Sequence, residues 1–462
     1  MRNICRLNTE TQRYRVLSLC ALLCVSVSLC PNKAFAQAYT LEQIKDSALQ
    51  NNIAIRTAQH DIEAANQQRK EAFTKYFPSV SGNLLWFQAN KGMAEMSLDI
   101  ADKIPPQIGA TLSQLLPPET LAALTQPINV SMMKHGTIAS LMAVQPVFAG
   151  GQIINGNKLA KLDEDVSRLQ LKLSENEVEK TAEQYYWQMV TMQEKVNTID
   201  AVEALLNDIH KDVDVAVRAG LALRNDLLQV ELRQNDVASQ KLKLMNGLSL
   251  VRMVLSQYCG LRDTAFVIAY DPQAVLPLAV KQDHQLAMAG TTEYQLLGKQ
   301  VEATELQRKM EFGKKLPTVA VGAGYNYHNL LDRNHNFAMV FATVSVPISD
   351  WWGGSHAVKR KKIEVQKAQE QLVENGELLK IRMQSAWNGV EEAYNQLQLA
   401  ERGIEQAQEN LRLNRDQYRA GILRMADLLE AQLLYQQTLD RRTEARADYQ
   451  NKLLEYRQAV GQ

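Results

Sequence analysis

The acidic residues best placed to do chemistry in this chain follow two glycine turns. Asp226 lies six residues after Gly220, Asp427 lies six residues after Gly421, and Glu430 follows three residues later. In a helix, a spacing of three puts Asp427 and Glu430 on one face. An aspartate near a turn can also begin a helix by accepting hydrogen bonds from free backbone N–H groups. Glu430 lies too far into the segment for that role, which leaves its charge available for another.

Residue types that support catalysis or metal binding lack the required spacing. The seven histidines are scattered, and no pair has the spacing of a metal site. No phosphate-binding loop, nucleophile elbow or HExxH sequence is present. Cys259 precedes a glycine at the end of a helical stretch and is expected to be a buried thiol. The sequence therefore predicts no catalytic residues, no cofactor, no metal site and no enzymatic activity.

The two glycine turns are equivalent parts of an internal duplication. At an offset of 201 residues, the first turn recurs as the second: Arg218-Ala219-Gly220-Leu221 as Arg419-Ala420-Gly421-Ile422. Earlier in each copy, many residues of positions 63–80 recur at an offset of 239 in positions 302–319. The two offsets differ by 38 residues, so the first copy has an insertion between Pro78 and Pro146. We expect this insertion to be a long loop that can include a short helix.

Each copy contains a helical stretch, a β-hairpin, a very long helix, a glycine turn and a second helix. We predict a first repeat at residues 37–260, a connecting segment at 261–284 and a second repeat at 285–462. The expected elements within the repeats are a hairpin at about 79–147 with an extracellular loop at about 88–136, long helices at 152–260, a second hairpin at about 318–347 and long helices at 355–461.

The long helices have the periodicity of a coiled coil. Apolar or alanine side chains recur every seven residues from Val358 to Ala407, and a second such series runs from Met383 to Leu411. The 69 residues from Gly151 to Gly220 would form a helix about 100 Å long. The predicted fold class is therefore mainly α, with a duplicated helix–β-hairpin–long helix–helix unit.

The segments between the helices alternate as membrane strands do. From Val319 to Tyr327 every second residue is apolar or aromatic, and the residues between them are small or polar. A membrane β-barrel strand has this pattern because lipid lies outside and water inside. Trp86 and Trp352 lie near strand ends, where interfacial aromatic residues occur. A half-buried hairpin of a soluble protein would alternate in the same way, so the pattern alone leaves both interpretations open.

Residues 1–36 have the order of a secretory signal peptide. Arg13 and Arg15 precede a short apolar stretch, and Ala34-Phe35-Ala36 has the small residues of a cleavage site. The alternative is a retained anchor helix, but the apolar stretch is too short to cross a bilayer stably. Without residues 1–36 the chain carries 46 basic and 50 acidic residues. That balance does not predict nucleic acid as a partner.

Two hairpins supply only four strands per chain. A closed barrel needs about eight strands. An open edge cannot lie in lipid, because its N–H and C=O groups would have no hydrogen-bond partners. If the strands span a membrane, two or three chains must therefore share one barrel of eight or twelve strands. The helices that leave such a barrel would extend it as a tube.

Several short sequences resemble those of the TolC-like outer-membrane efflux proteins, also called outer membrane factors. They are Tyr39-Thr40-Leu41-Glu42-Gln43, Gln145-Pro146-Val147-Phe148 and Val346-Pro347-Ile348, each of the last two preceding a glycine pair, and the paired Arg-Ala-Gly turns. The resemblance covers essentially all of residues 37–462. It implies a homotrimeric α/β-barrel duct in outer-membrane lipid, with a twelve-stranded barrel continuous with a periplasmic helical barrel. It also implies passive efflux or type I secretion of small molecules or proteins, with an inner-membrane pump and a periplasmic adaptor.

In that family the two helix turns lie at the periplasmic end, where they contact the adaptor and close the pore. The resemblance therefore implies adaptor contacts at Arg218, Ala219, Gly220, Leu221, Arg419, Ala420, Gly421 and Ile422. It places an acidic constriction at Asp427 and Glu430, where the six carboxylates of a trimer would favour cations. Tyr418 and Asp226 match a closing contact of the family. The place of the family's closing arginine holds Leu423, with Arg424 next to it.

A second function class stays open on the sequence alone. A periplasmic coiled-coil scaffold or adaptor without a pore would have the same long helices. It would be soluble and would not need two hairpins with aromatic residues at their ends. The channel interpretation instead predicts that detergent is needed for extraction and that the oligomers are heat-sensitive.

Overall fold

The structure is a computed structural model that describes residues 38–98, 128–262, 266–272, 276–330 and 333–462, together with residues 105, 108, 111, 115–117, 119, 120 and 274. The predicted signal peptide, residues 1–36, lies outside the described residues, as does most of the predicted loop between positions 99 and 127.

The helices and strands follow one another in nearly the same order in the two copies. The first copy contains β1 (Ala38–Tyr39), α1 (Leu41–Asn51), α2 (Ile53–Thr74), β2 (Ser79–Gln88), β3 (Ala94–Leu98), β4 (Ile128–Met132), β5 (His135–Ala149), α3 (Gln152–Arg218) and α4 (Arg224–Cys259). After β6 (Val267–Ile268), the second copy contains α5 (His284–Gly290), α6 (Thr292–Gly313), β7 (Thr318–Asn329), β8 (Asn334–Ser345), α7 (Asp350–Arg419) and α8 (Met425–Ala459). None of the helices formed by the described residues combines the length and the apolarity needed to span a membrane.

Local sequence explains where several of these elements begin. Thr40 caps α1, because its hydroxyl accepts a hydrogen bond from the backbone N–H of Gln43 at 3.4 Å. The side-chain oxygen of Gln43 in turn accepts from the backbone N–H of Thr40 at 3.0 Å, which completes a capping box. Pro78 and Pro317 follow α2 and α6, and each precedes a strand because proline cannot supply the N–H that a continuing helix requires.

The described residues form two compact units, and each unit takes equivalent segments from both copies. We call them the helical unit, made of residues up to 53, 176–280 and 386–456, and the sheet unit, made of 54–175, 281–385 and 457–462. The duplication is therefore a repeat of sequence and of element order, and its two copies are not two separate globules.

The sheet unit contains an antiparallel sheet in the strand order β2-β5-β7-β8. Its register pairs Val80 with Ala143, Ala143 with Ala323, and Ala323 with Val340, so one apolar row crosses all four strands. The register shifts by one residue next to Pro146, which has no N–H to donate to the neighbouring strand. The strands β2 and β8 form the two edges of this sheet.

The insertion in the first copy differs from the loop that the sequence predicts. The strands β3 and β4 pair in antiparallel register, from Ala94 opposite Met132 to Leu98 opposite Ile128. Strands of five residues are too short to establish an alternating pattern, which is why sequence reasoning missed the pairing of β3 with β4.

In the predicted heptad series of α7, Met383, Val390 and Leu397 are at most 3% exposed, and a similar stripe is buried on α3. Ile199, Val202, Leu206, Ile209 and Val213 of α3 are all at most 2% exposed, and they alternate at spacings of three and four. Such spacing keeps one stripe of a helix facing its neighbours. These residues form part of a hydrophobic cluster next to the two glycine turns, to which α3, α4, α7 and α8 all contribute. We call it the turn-proximal core.

Candidate functional site at the two helix turns

The helices α3 and α7 end in the same hydrogen-bonded turn. The N–H of Gly220 donates to the carbonyl of Val217 at 3.0 Å, and that of Leu221 donates to Ala216 at 2.8 Å. In the second copy Gly421 donates to Tyr418 at 2.9 Å and Ile422 donates to Gln417 at 3.0 Å. This pair of bonds is the Schellman motif. It requires a residue with positive φ, and Gly220 (+76°) and Gly421 (+71°) supply it.

The residues after the two glycines project apolar side chains into solvent. Leu221 is 84% exposed and Ile422 is 78% exposed. Ala219 and Ala420, which precede the glycines, are also exposed. Each turn therefore presents a small, apolar tip. Four of the eight predicted adaptor-contact residues are therefore exposed small or apolar side chains.

The two arginines of the Arg-Ala-Gly turns have different partners. Arg218 forms an ion pair within its own helix, with Asp214 one turn earlier. Arg419 instead crosses from α7 to α3, where its guanidinium donates to Asp212 at 2.8 Å. Arg415 lies 3.8 Å from the same carboxylate. Asp212 thus connects the ends of two long helices, and sequence reasoning missed it because its partners lie about 200 positions away.

Asp226 caps α4, and its charge also acts on Tyr418 of the second turn. Its carboxylate accepts a hydrogen bond from the backbone N–H of Leu223 at 3.3 Å, which helps to cap α4. It also acts on Tyr418 of the second turn. Burial raises the pKa of the Tyr418 phenol above its ordinary value, and the negative charge of Asp226 raises it further. The two side chains therefore interact electrostatically within a single chain, and their role in closing a pore stays a prediction.

Asp427 and Glu430 differ in their electrostatic surroundings. The guanidinium of Arg424 binds Asp427 at 3.0 and 3.1 Å, and these hydrogen bonds hold the pKa of the carboxyl below its ordinary value. Glu430 is exposed and has no ion-pair partner in the part of the chain that the structure describes. The two acidic residues are therefore not equivalent, and Glu430 carries the uncompensated charge.

Leu423 replaces a closing arginine of the resembled family with a packing contact. Its side chain packs against the turn-proximal core, together with Tyr418 and Leu429. The neighbouring Arg424 points its charge at Asp427. The hydrophobic side chain at position 423 thus stabilises the turn within the chain.

The remaining chemical candidates do not form a further site. Cys259 is fully buried, and its burial raises the pKa of the thiol to about 12. Within the described ranges, no cluster of three or more histidine, cysteine, aspartate or glutamate side chains could hold a metal ion.

The chain is similar to outer-membrane efflux proteins in part of its sequence. Residues 297–462 match the family model for the outer membrane efflux protein. This stretch contains the second hairpin, both long helices of the second copy and the turn at Gly421. No curated protein sequence matches the chain significantly.

The fold is similar to several solved structures along almost its whole length. CusC, whose structures are described in terms of transmembrane channel formation, is 13% identical with a TM-score of 0.72. The match covers 91% of this chain and 92% of the CusC chain. The outer membrane protein VceC of Vibrio cholerae is 12% identical with a TM-score of 0.68, and the match covers 91% of this chain and 96% of the VceC chain. The MtrE outer membrane channel of Neisseria gonorrhoeae is 13% identical with a TM-score of 0.68, and the match covers 91% of this chain and 88% of the MtrE chain.

Proposed function

We propose that this chain, which matches the outer membrane efflux protein family model over residues 297–462 and has the fold of several outer-membrane channels, is one protomer of a trimeric exit duct. The protein lies in the outer membrane with a long periplasmic extension, and it exports substrates as a passive channel. A periplasmic adaptor would connect the duct to an inner-membrane pump, and the pump would supply the energy for export. The substrates would be those that the pump delivers, either small molecules or proteins.

The observation that carries this proposal is the apolar face of the four-stranded sheet. The row Gly82–Leu141–Tyr325–Ala338 lies on the same face as the row that begins at Val80, two residues further along each strand. Leu84, Leu141 and Val340 on this face are 76%, 57% and 86% exposed. Burying such a surface in lipid is favourable.

The strands have the length and the edges that a shared barrel requires. They contain 10, 15, 12 and 12 residues, and about 9 to 11 residues suffice to cross the apolar core of a bilayer. The free edges β2 and β8 would each need a partner in lipid. Three chains joined through these edges would form a twelve-stranded barrel, which supports the proposed trimer.

The turns then form the periplasmic entrance of the duct. Leu221 and Ile422 would bind the adaptor through their exposed apolar side chains. Three copies of Glu430 would place uncompensated negative charge at the mouth and favour cations. The Tyr418–Asp226 pair and the Arg419–Asp212 ion pair would hold the closed arrangement, because both join helices that would have to separate when the mouth opens.

Planar-bilayer recording of the purified protein tests the channel. We expect discrete conductance with a preference for cations, together with a detergent-extracted trimer in native mass spectrometry. Monomeric solubility without detergent and absence of discrete conductance would contradict the proposal, and would favour a periplasmic scaffold instead.

A further inference from the structure

Three lysines near the first hairpin recur near the second hairpin. The two sets occupy corresponding places, with one lysine on the helix before each hairpin and two on the helix after it. Their offsets are the 239 and 201 residues of the duplication. We call them the first lysine triad, Lys70, Lys158 and Lys161, and the second lysine triad, Lys309, Lys359 and Lys362.

The six ammonium groups are exposed and uncompensated. None of them has a hydrogen-bond or ion-pair partner in the part of the chain that the structure describes. Some neighbouring cations are paired instead. Arg69 donates to Glu164 at 2.9 Å, and Lys361 donates to Glu364 at 2.6 Å. The six triad lysines therefore carry free charge, whereas Arg69 and Lys361 are held by carboxylate partners.

The first triad lines a groove between α2 and α3. The groove has a volume of about 550 Å³, and its wall includes Phe73 and Tyr76. The ring centroid of Phe73 lies 5.7 Å from that of Tyr76 and 5.5 Å from that of Phe77. Phe312, the equivalent of Phe73 in the second copy, is 53% exposed against 55% for Phe73. An exposed aromatic side chain thus accompanies both triads.

The triads lie on the helix ends that adjoin the strands of the sheet. The strand β2 begins three residues after Tyr76, and α3 begins three residues after the end of β5. If the sheet crosses the outer membrane as proposed above, these helix ends lie at its periplasmic surface. Tyrosine and tryptophan are enriched at membrane–water interfaces, and clusters of lysine or arginine beside a membrane attract anionic headgroups.

Positive charge is concentrated at these helix ends. Positions 66–77 and 152–162 contain five lysines or arginines and one carboxylate. The equivalent positions 305–316 and 353–363 contain eight lysines or arginines and two carboxylates. From residue 37 onward, by contrast, acidic residues outnumber basic ones by 50 to 46. The net charge at these helix ends is therefore positive, whereas that of residues 37–462 as a whole is negative.

We propose that each lysine triad binds the headgroup phosphate of an anionic phospholipid in the periplasmic leaflet of the outer membrane. Lysine is a compact charge that binds phosphate without demanding a planar geometry. The acyl chains would extend along the apolar face of the sheet, beyond Phe73 or Phe312. This inference rests on the proposed membrane position, but each triad lies within a single chain and does not depend on the trimer.

Native mass spectrometry of the full chain in a neutral detergent tests the lipid site. The probes are phosphatidylglycerol, phosphatidylcholine and inorganic phosphate. We expect retention of phosphatidylglycerol in preference to the other two. Lys70→Gln/Lys158→Gln/Lys161→Gln should weaken it on the order of a hundredfold at the first site, given the contribution of each lysine at an anionic membrane surface. Lys309→Gln/Lys359→Gln/Lys362→Gln should do the same at the second site.

The matched control removes three other exposed lysines that have no ion-pair partner among the described residues: Lys172, Lys243 and Lys367. Lys172→Gln/Lys243→Gln/Lys367→Gln changes the net charge equally and should leave lipid retention unchanged. Equal loss in control and triad variants would overturn the proposal, as would stronger binding of inorganic phosphate than of phosphatidylglycerol. Normal conductance without lipid retention would reject only the lipid site. Retention by a chain that forms no channel would reject only the duct.

Discussion

Arg424 holds the carboxylate of Asp427 with two hydrogen bonds, from Nε at 3.1 Å and from Nη2 at 3.0 Å. Arg424 immediately precedes α8 and Asp427 lies in its first turn, and their pairing leaves Glu430 as the uncompensated charge of the predicted constriction. Arg424→Gln should therefore increase the cation preference of the channel, whereas Glu430→Gln should decrease it. Reversal potentials in asymmetric salt measure both changes.

The double variant Arg424→Gln/Glu430→Gln supplies the control for that experiment. It exchanges one free carboxylate for another, so its selectivity should lie close to that of the unmodified protein. If both single variants shift the reversal potential in the same direction, the assignment of charges at the mouth is wrong.

Leu423 and Ile422 are adjacent, but we expect substitution of Leu423 to lower stability and substitution of Ile422 to weaken adaptor binding. Leu423 packs against the turn-proximal core, whereas Ile422 is 78% exposed. Leu423→Ala should lower the free energy of unfolding by about 1 to 2 kcal/mol, below the range for a fully buried leucine. Ile422→Ala should change it by less than about 0.5 kcal/mol, yet weaken adaptor capture several-fold. Denaturant unfolding and cross-linked co-purification of the adaptor from cells distinguish the two, and the prediction fails if Leu423→Ala alone weakens capture.

At Gly421 there is space for a side chain, but the backbone conformation disfavours any residue other than glycine. A Cβ at this position would meet nothing within 4 Å, but the residue has a φ of +71°. Gly421→Ala should destabilise the turn by about 1 kcal/mol. Gly298 is also uncrowded, but it lies inside α6 without a positive φ. Gly298→Ala should therefore stabilise the protein by up to about 1 kcal/mol. Chemical unfolding followed by circular dichroism measures both, and equal effects would argue against the Schellman geometry.

Tyr418 should make stability sensitive to alkaline pH. Burial and the charge of Asp226 raise the pKa of its phenol, so the folded state favours the neutral form. Its contribution is present below the ordinary tyrosine pKa of about 10 and is lost as pH rises through the raised value. Tyr418→Phe should flatten the alkaline decline of the free energy of unfolding. Asp226→Asn should move the phenol's titration toward lower pH, as seen by difference absorbance between paired variants. An unchanged decline in Tyr418→Phe would show that other groups dominate.

Cys259 should be inert in the folded protein. Its thiol is fully buried, and burial raises its pKa to about 12, so almost no thiolate forms at neutral pH. Maleimide at pH 8 should label the native protein at least tenfold more slowly than the denatured chain. Ser239→Cys, at an exposed position of α4, supplies a reactive control in the same fold. Rapid labelling of native Cys259 would mean that the helical unit opens locally.

Hydrogen bonds between helices that are far apart in the sequence could not be predicted from the sequence. Arg233 of α4 donates to Gln432 and Gln436 of α8 at 3.0 and 2.9 Å, across about 200 positions of the chain. Any of several glutamines could have been its partner. Only the register of the packed helices selects these two, just as it selects Asp212 for Arg419.

The sequence by itself determined the duplication, the helix period and the positions of the glycine turns. Each is a local or repeating pattern, and a glycine with positive φ is specified by the turn that contains it. The tertiary structure decided the strand register, the hairpin β3–β4, the partner of Arg419 and the packing of Leu423. It also separated Glu430 from Asp427, because spacing alone puts both carboxylates on one face without showing that Arg424 neutralises one of them. Such choices depend on which side chains meet after packing, and packing energy is a property of the assembled helices rather than of any one segment.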